Sequence, residues 1–176
     1  MSLATALMVL TLVSAGPQDR PMVPVVLQVE LLGKVIRYDR NFSARAGAEV
    51  TVLVVYSATS ASSRHLALEF AVALDALPLL AGLPHRTELA SLTNPRALAA
   101  QVAERHVEVV LFAGGFAEQA RELGEAFSGS DCLTVSASPE GVKEGLALGF
   151  DLVSGKPRML LNLTQARSQH ADFRVE

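Results

Sequence analysis

The chain has 176 residues, of which 50% are hydrophobic and 19% charged. This composition is typical of one folded domain with an aliphatic core and excludes a disordered chain. The formal net charge is -3, from 15 Lys and Arg against 18 Asp and Glu, and no basic run is present to neutralise a line of phosphates. We therefore expect no nucleic-acid partner.

The cysteine and histidine content limits the chemistry further. Cys132 is the only cysteine, so we expect no intramolecular disulfide and no cysteine metal cage. The four histidines, at positions 65, 85, 106 and 170, are not at metal-ligand spacing, and no HExxH or CxxC motif occurs. The sequence therefore predicts neither a metal nor a cofactor.

The first fifteen residues are predicted to be a signal peptide. The segment from Leu3 to Val13 is apolar apart from two threonines, and Val13-Ser14-Ala15 places small residues where signal peptidase requires them. We predict export with cleavage after Ala15, residues 16–23 as a short N-terminal segment, and residues 24–176 as a single α/β domain. The alternatives are a buried N-terminal helix and a membrane anchor, for which the apolar run is too short.

Helices and strands are predicted to alternate along the first part of the domain. Apolar residues at helical spacing predict helices over 24–38, 95–106 and 116–127, and another whose buried stripe runs from Leu66 to Leu77 before Pro78. Apolar runs rich in β-branched residues predict core strands at 50–56 and 107–113, with shorter strands near 86–90 and at 132–136. We expect the strand at 50–56 to lie at the centre of the sheet.

The pattern changes in the last thirty residues or so. Strands at 146–153 and 158–163 flank Ser154-Gly155-Lys156-Pro157, which is typical of the turn of an antiparallel hairpin. Thr164 is expected to cap a short last helix that continues to His170. Strand–helix repetition requires right-handed parallel crossovers. The predicted fold is a three-layer α/β sandwich, with a mainly parallel sheet and a C-terminal antiparallel hairpin.

Two loops that follow core strands and precede helices are candidate ligand sites. In open α/β sheets, ligands bind at this edge, where backbone amides can also hold an anion. The candidate residues are Ser57, Thr59, Ser60, Gly114 and Gly115. Neither loop matches GxGxxG or a P-loop, so ordinary turn and cap roles are the favoured alternative.

A hydrolase is the weakest of the functional hypotheses. The sequence contains no GxSxG motif, and all four histidines fall on predicted polar faces or in loops. Cys132 opens a short apolar strand beside Asp131, whose charge would raise the thiol pKa, so we interpret Cys132 as a small core residue. We predict no catalytic residue and a protein that is not an enzyme.

The stretch from Cys132 to Phe173 contains Leu133-Thr134-Val135-Ser136 in a predicted strand, Gly145 or Gly149, the turn at Gly155-Lys156, Asn162 and Ala166. These elements resemble the YfiR-like family of periplasmic proteins. In that family a strand with the LTVS motif is followed by a glycine, a hairpin whose second strand carries an asparagine, and a helix with an alanine. Upstream, the stretch from Leu31 to Tyr38 is similar to the family's first helix.

The resemblance implies an exported, non-enzymatic regulator of cyclic di-GMP signalling. Such a protein acts by contact with a membrane signalling protein, such as a diguanylate cyclase, through the periplasmic part of that partner. The alternative, from a different class, is a periplasmic receptor for a small molecule or anion at the strand-to-helix edge. Homo-oligomerisation stays open.

Five residues of the matching stretch are given structural roles: Leu133, Thr134, Ser136, Asn162 and Ala166. Asn162 lies in an otherwise apolar strand, so its amide must find partners within the protein. We expect it to bond neighbouring backbone before the last helix, with a ligand contact as the alternative.

Overall fold

The computed structural model describes residues 22–173. The predicted signal peptide, its cleavage site after Ala15 and most of the 16–23 segment lie outside these residues. Between residues 22 and 173, no helix is both long enough and apolar enough to cross a membrane.

Six strands form one sheet in the order β2-β1-β3-β4-β5-β6. Every neighbouring pair is parallel except β5 and β6, which pair antiparallel. The strands are β1 (Val50–Ser57), β2 (His85–Leu92), β3 (Val109–Phe112), β4 (Leu133–Ser136), β5 (Leu148–Val153) and β6 (Lys156–Leu161). The predicted fold class is therefore confirmed.

The helices cover both faces of this sheet. One hydrophobic cluster joins the sheet to α1, α2, α3 and α7, and a second joins it to α4 and α5. The helices are α1 (Val25–Val35), α2 (Phe42–Ala46), α3 (Ala61–Asp75), α4 (Pro95–Glu104), α5 (Ala120–Ala126), α6 (Pro139–Glu144) and α7 (Leu163–Ser168). The result is a three-layer sandwich.

β1 shows why its sequence is apolar without alternation. Val52 and Val54 contact the cluster on one face of the sheet, whereas Leu53 and Val55 contact the cluster on the other face. A strand that is covered on both faces has no solvent-facing positions for polar residues. The expectation that this strand is central is wrong, since it is second from an edge and β3 and β4 occupy the middle.

Several predicted element boundaries change at the ends of helices. The helix predicted over 24–38 ends at Val35 and continues as a 3₁₀ turn, and a 3₁₀ turn also precedes α5. The helix predicted over 95–106 ends at Glu104, because His106 takes a left-handed conformation with φ 51°. Asn94 caps this helix by accepting the Ala97 N–H at 3.0 Å, as is typical of Asn before proline.

The C-terminal region departs from the prediction at the ends of its elements. β5 begins at Leu148 rather than at 146, and β6 ends at Leu161 rather than at 163, which places Asn162 after the strand. The hairpin turn contains only Ser154 and Gly155, which have φ values of 51° and 72°, because a two-residue turn with positive φ matches the twist of the strands. Lys156 and Pro157 therefore belong to β6. Thr164 does not cap the last helix: α7 begins at Leu163, is capped by Asn162 and ends at Ser168.

Two short helices were not predicted. α2 has five residues and α6 has six, which is too short for a hydrophobic periodicity to be visible in the sequence. α6 begins with Pro139 after a serine, and Gly141 packs directly on Ser136, where an added Cβ would clash. Close contact with β4, more than helix propensity, explains this helix.

Candidate functional site

The two predicted loops meet at the carboxyl edge of the sheet. β1 and β3 are neighbours and parallel, and the strand order reverses direction between them, since β2 lies on one side and β4 on the other. The crevice at such a reversal is where open α/β sheets bind ligands. The structure therefore brings Ser57, Thr59 and Ser60 to the same edge as Gly114 and Gly115.

A residue that was not among the candidates connects the loops. The Ser63 hydroxyl accepts a hydrogen bond from the Ser57 N–H and donates one to the Gly114 carbonyl, both at 2.9 Å. Ser63 is fully buried. Ser63 could have been found from the sequence, because it stands at helical spacing from Ala67, Phe70 and Leu74. This spacing places it on the buried stripe of α3.

The remaining hydroxyls of the first loop bond within it. Ser60 caps α3 by accepting the Ser63 N–H at 3.2 Å, and its hydroxyl lies 2.9 Å from that of Ser62. The Ser57 and Thr59 hydroxyls lie 3.2 Å apart. These contacts satisfy the first turn of α3 without a ligand, as expected of turn and cap roles.

The two glycines of the second loop are required by the backbone. Gly114 and Gly115 have φ values of 135° and 75°, a region that other residues rarely adopt. Gly114 is buried and Gly115 is exposed. The pair turns the chain from β3 toward α5 and lets the Gly114 carbonyl reach Ser63.

Thr134 is the centre of a buried polar network. Its hydroxyl accepts the Ala147 N–H and the Gln169 Nε2–H, each at 3.0 Å, and its N–H donates to Gln169 Oε1 at 3.0 Å. Both side chains are fully buried, so each bond replaces one that water would otherwise make. This network connects β4 to the segment after α7. No pattern in the sequence predicted a structural role for Gln169.

The other residues of the matching stretch also have structural contacts. Asn162 Oδ1 accepts the Gln165 N–H at 3.1 Å, and the Asn162 N–H donates to the Ala147 carbonyl at 2.8 Å. The Ser136 hydroxyl donates to the Ser138 carbonyl at 2.7 Å. Leu133 and Ala166 are buried in the hydrophobic cluster that contains α1 and α3.

Three of the four histidines, His65, His85 and His170, contact a carboxylate or a backbone carbonyl. His65 and His170 lie 3.1 Å and 2.8 Å from Glu69 and Asp131, all four at the surface, and His85 Nε2 donates to a backbone carbonyl at 2.9 Å. In the described part of the chain, none of their hydrogen bonds goes to a serine or cysteine. No group of three or more metal-ligating residues occurs within residues 22–173.

Cys132 is enclosed in the hydrophobic cluster of α4 and α5. Burial is the largest cause that raises the pKa of its thiol to about 11, and the charge of Asp131 is a smaller one. The neutral thiol is a weak nucleophile. The expected upward effect of Asp131 on the thiol pKa is present, but desolvation is the larger cause.

An apolar groove lies on the outer surface of α1 and α3. It has a volume of about 560 Å³ and is lined mainly by Val25, Val26, Leu68, Val72, Ala73 and Ala76. Val26, Leu68 and Val72 are 62%, 46% and 71% exposed. We call this feature the α1–α3 groove.

Comparison with protein families gives one match. The family described as YfiR/HmsC-like matches residues 79–175, which includes β2 to α7 and the whole stretch from Leu133 to Ala166. The chain belongs to the YfiR/HmsC-like family. Proteins of the YfiR-like family are regulatory and not catalytic.

Two solved structures resemble the fold. One is an ABC domain in complex with L-Trp from Streptococcus pneumonia, with a TM-score of 0.60, 13% identity, and 86% of this chain and 58% of that chain covered. The other is a conserved domain protein from Vibrio cholerae O1 biovar El Tor, with a TM-score of 0.56, 16% identity and coverages of 86% and 56%. This chain spans less than three-fifths of either length, and such low identities show the α/β fold alone. A comparison with curated proteins finds no match.

Proposed function

We propose that this YfiR/HmsC-like chain is an exported, non-enzymatic regulator that binds the periplasmic part of a membrane signalling protein such as a diguanylate cyclase. In this proposal residues 1–15 are removed after Ala15, and residues 24–176 act as a single domain in the periplasm. Family membership supports the regulatory class. The α1–α3 groove is the observation that supports action by protein contact.

The groove has the composition of an interface centre. Val26 and Val72 point away from the sheet, while Val29, Leu32 and Phe70 of the same helices fill the core. The exposed apolar residues therefore contribute nothing to the core of the domain. A contiguous apolar patch of this kind at the surface of a soluble domain is typical of a protein-binding site.

The edge of the groove is polar. His65 and Glu69 line it and lie 3.1 Å apart at the surface. An apolar centre with a polar rim is the usual arrangement of protein–protein interfaces. In this proposal, apolar side chains of the partner bury Val26, Leu68 and Val72.

The experiment is affinity capture of the tagged protein from its own cell envelope. We expect the wild type to capture a membrane protein that carries a diguanylate cyclase domain, and Val72→Glu to lose it, since a charge in a desolvated interface is strongly unfavourable. Val153→Glu is the matched control, because Val153 is also exposed, at 46%, but lies on the β5–β6 hairpin. If Val72→Glu captures the membrane protein as well as Val153→Glu does, the α1–α3 groove is not the binding surface.

A second candidate function is a receptor for a small molecule or anion at the edge near Ser57 and Gly114. The position of these loops at the strand-order reversal favours it. We would titrate L-tryptophan and inorganic phosphate and follow the backbone amides by NMR. Saturable shifts confined to Ser57, Thr59 and Gly115 would support the receptor, and unshifted amides there would exclude these two probes as ligands.

A further inference from the structure

A second groove lies at the opposite edge of the sheet, where β3 and β4 begin. It has a volume of about 470 Å³, and its lining includes Arg45, Val102, Val107, Glu108, Asp131 and Cys132. We call it the amino-edge groove. Its volume falls within the range of small-molecule pockets.

Glu108 is the unusual residue of this groove. It is only 7% exposed, and Oε2 accepts the Thr51 N–H at 2.7 Å. No ion pair among residues 22–173 includes Glu108. Because glutamate is rarely buried without a cationic partner, this carboxylate has an unused capacity to bind a cation.

His106 also lines the groove, two residues before Glu108, and no ion pair among residues 22–173 joins the two. The two nearby arginines have other partners. Arg45 pairs with Asp39 at 2.6 Å and donates to the Gln169 carbonyl at 3.2 Å. Arg86 donates to the Thr51 hydroxyl at 3.0 Å and pairs with Glu88. The charge of Glu108 is therefore not balanced by direct contact with either arginine.

The remaining walls of the groove are mixed, with an apolar part beside polar groups of His106, Ser130 and Asp131. Val102 and Val107 line it beside the neutral thiol of Cys132 and the methyl groups of Ala44 and Ala103. Asp131 adds a second carboxylate at the rim, although it also contacts His170 at 2.8 Å. An apolar wall beside an unpaired carboxylate fits an apolar group that carries one positive charge.

We propose that the amino-edge groove binds a small organic cation, with its ammonium group on the Glu108 carboxylate and its apolar part against Val102 and Val107. Three donors on an ammonium group can satisfy Glu108, while the apolar part fills the groove beside the carboxylate. The site lies at the edge opposite Ser57 and Gly114 and does not depend on the proposed regulatory partner.

The test uses benzylamine, which is cationic at neutral pH, and benzyl alcohol, its neutral analogue of nearly equal size. Binding to the full chain is followed by NMR of the backbone amides. We expect benzylamine to shift Ala103, Gly129, Ser130 and Cys132 saturably, and benzyl alcohol to bind at least about tenfold more weakly, because a charge-assisted hydrogen bond is lost. Equal affinities for the two probes would overturn the proposal.

Glu108→Gln provides the second measurement. Its amide oxygen can still accept the Thr51 N–H, so the fold is expected to persist while benzylamine binding weakens at least about tenfold. Glu30→Gln is the matched control, because it removes one negative charge from the exposed surface of α1. If Glu108 serves only to accept the Thr51 N–H, Glu108→Gln will bind benzylamine as the wild type does, and the proposal fails. If Glu108→Gln does not fold, the comparison of the two probes on the wild type still decides it.

Discussion

The Ser63 hydroxyl donates a 2.9 Å hydrogen bond to the Gly114 carbonyl across the strand-order reversal, and the same oxygen accepts the Ser57 N–H. One buried hydroxyl thus satisfies polar groups from both loops of the carboxyl edge. The Ser63 hydroxyl therefore holds the two loops together at the carboxyl edge of the sheet, whether or not this edge also binds a ligand.

Ser63→Ala should therefore destabilise the domain. It leaves the buried Gly114 carbonyl and the part-buried Ser57 N–H without this partner, at a cost of about 1–3 kcal/mol for a buried group left unsatisfied. For a domain of this size, each kcal/mol corresponds to a decrease of roughly 2–4 °C in Tm. Thermal unfolding should show a decrease of at least a few degrees, whereas the control Ser62→Ala, at an exposed site, should stay close to the wild type. Equal Tm values would mean that water replaces the hydroxyl.

Asn162→Leu should destabilise the protein by about 1 kcal/mol, because it removes the N-cap of α7. Asn162→Asp should retain most of the stability, because a carboxylate accepts the Gln165 N–H and is favoured at a helix N-terminus. Urea unfolding of the two variants measures the difference. A leucine variant of unchanged stability that no longer binds the partner would instead make Asn162 an interface residue.

Two glycine-to-alanine substitutions should change the free energy of unfolding in opposite directions. At Gly124 in α5, an added Cβ would lie 2.5 Å from the Gly145 carbonyl oxygen, so Gly124→Ala should cost about 1–3 kcal/mol through overpacking. At Gly33 in α1, the nearest atom would be 3.5 Å away, so Gly33→Ala should stabilise by about 0.5–1 kcal/mol through helix propensity. Denaturant midpoints of the pair provide the test, and a destabilised Gly33→Ala would show that α1 lacks the space described.

Burial raises the pKa of Glu108 above its ordinary value of 4.5, and this predicts a pH-dependent effect of Glu108→Gln. Below pH 4.5 the carboxyl group is protonated in both the folded and the unfolded chain, and the amide variant should have nearly the same free energy of unfolding. As the pH rises through the folded-state pKa, the wild type must bury a charge and loses stability relative to the variant. Urea unfolding between pH 4 and pH 7.5 should show this divergence. A difference that does not change with pH would mean that burial does not disfavour the ionised form.

Export predicts that the mature chain begins at Gly16. The small residues Val13 and Ala15 stand at the positions that signal peptidase requires. Intact-mass measurement of protein purified from the cell envelope determines the first residue. Retention of Met1 to Ala15 would contradict the export proposal and, with it, a periplasmic partner.

The sequence by itself was sufficient for the order and type of the long elements. The apolar run at 50–56, the helical stripe of Leu66, Phe70 and Leu74, and the Ser154-Gly155 turn each encode their structure within a few residues. Local periodicity and positive φ need no information from elsewhere in the chain. The matching stretch at the C-terminus was likewise enough to indicate the family.

Only the tertiary structure decided which polar residues meet. Ser63 and Gly114 are 51 residues apart, as Thr134 and Gln169 are 35 apart and Thr51 and Glu108 are 57 apart. In the sequence, Glu108 is a single charged residue within the strand predicted at 107–113, and nothing in that pattern gives it a partner. Its burial follows from the parallel alignment of β1 and β3, which places its carboxylate against the Thr51 N–H, and no local pattern specifies such an alignment because the strands are joined through β2 and two helices.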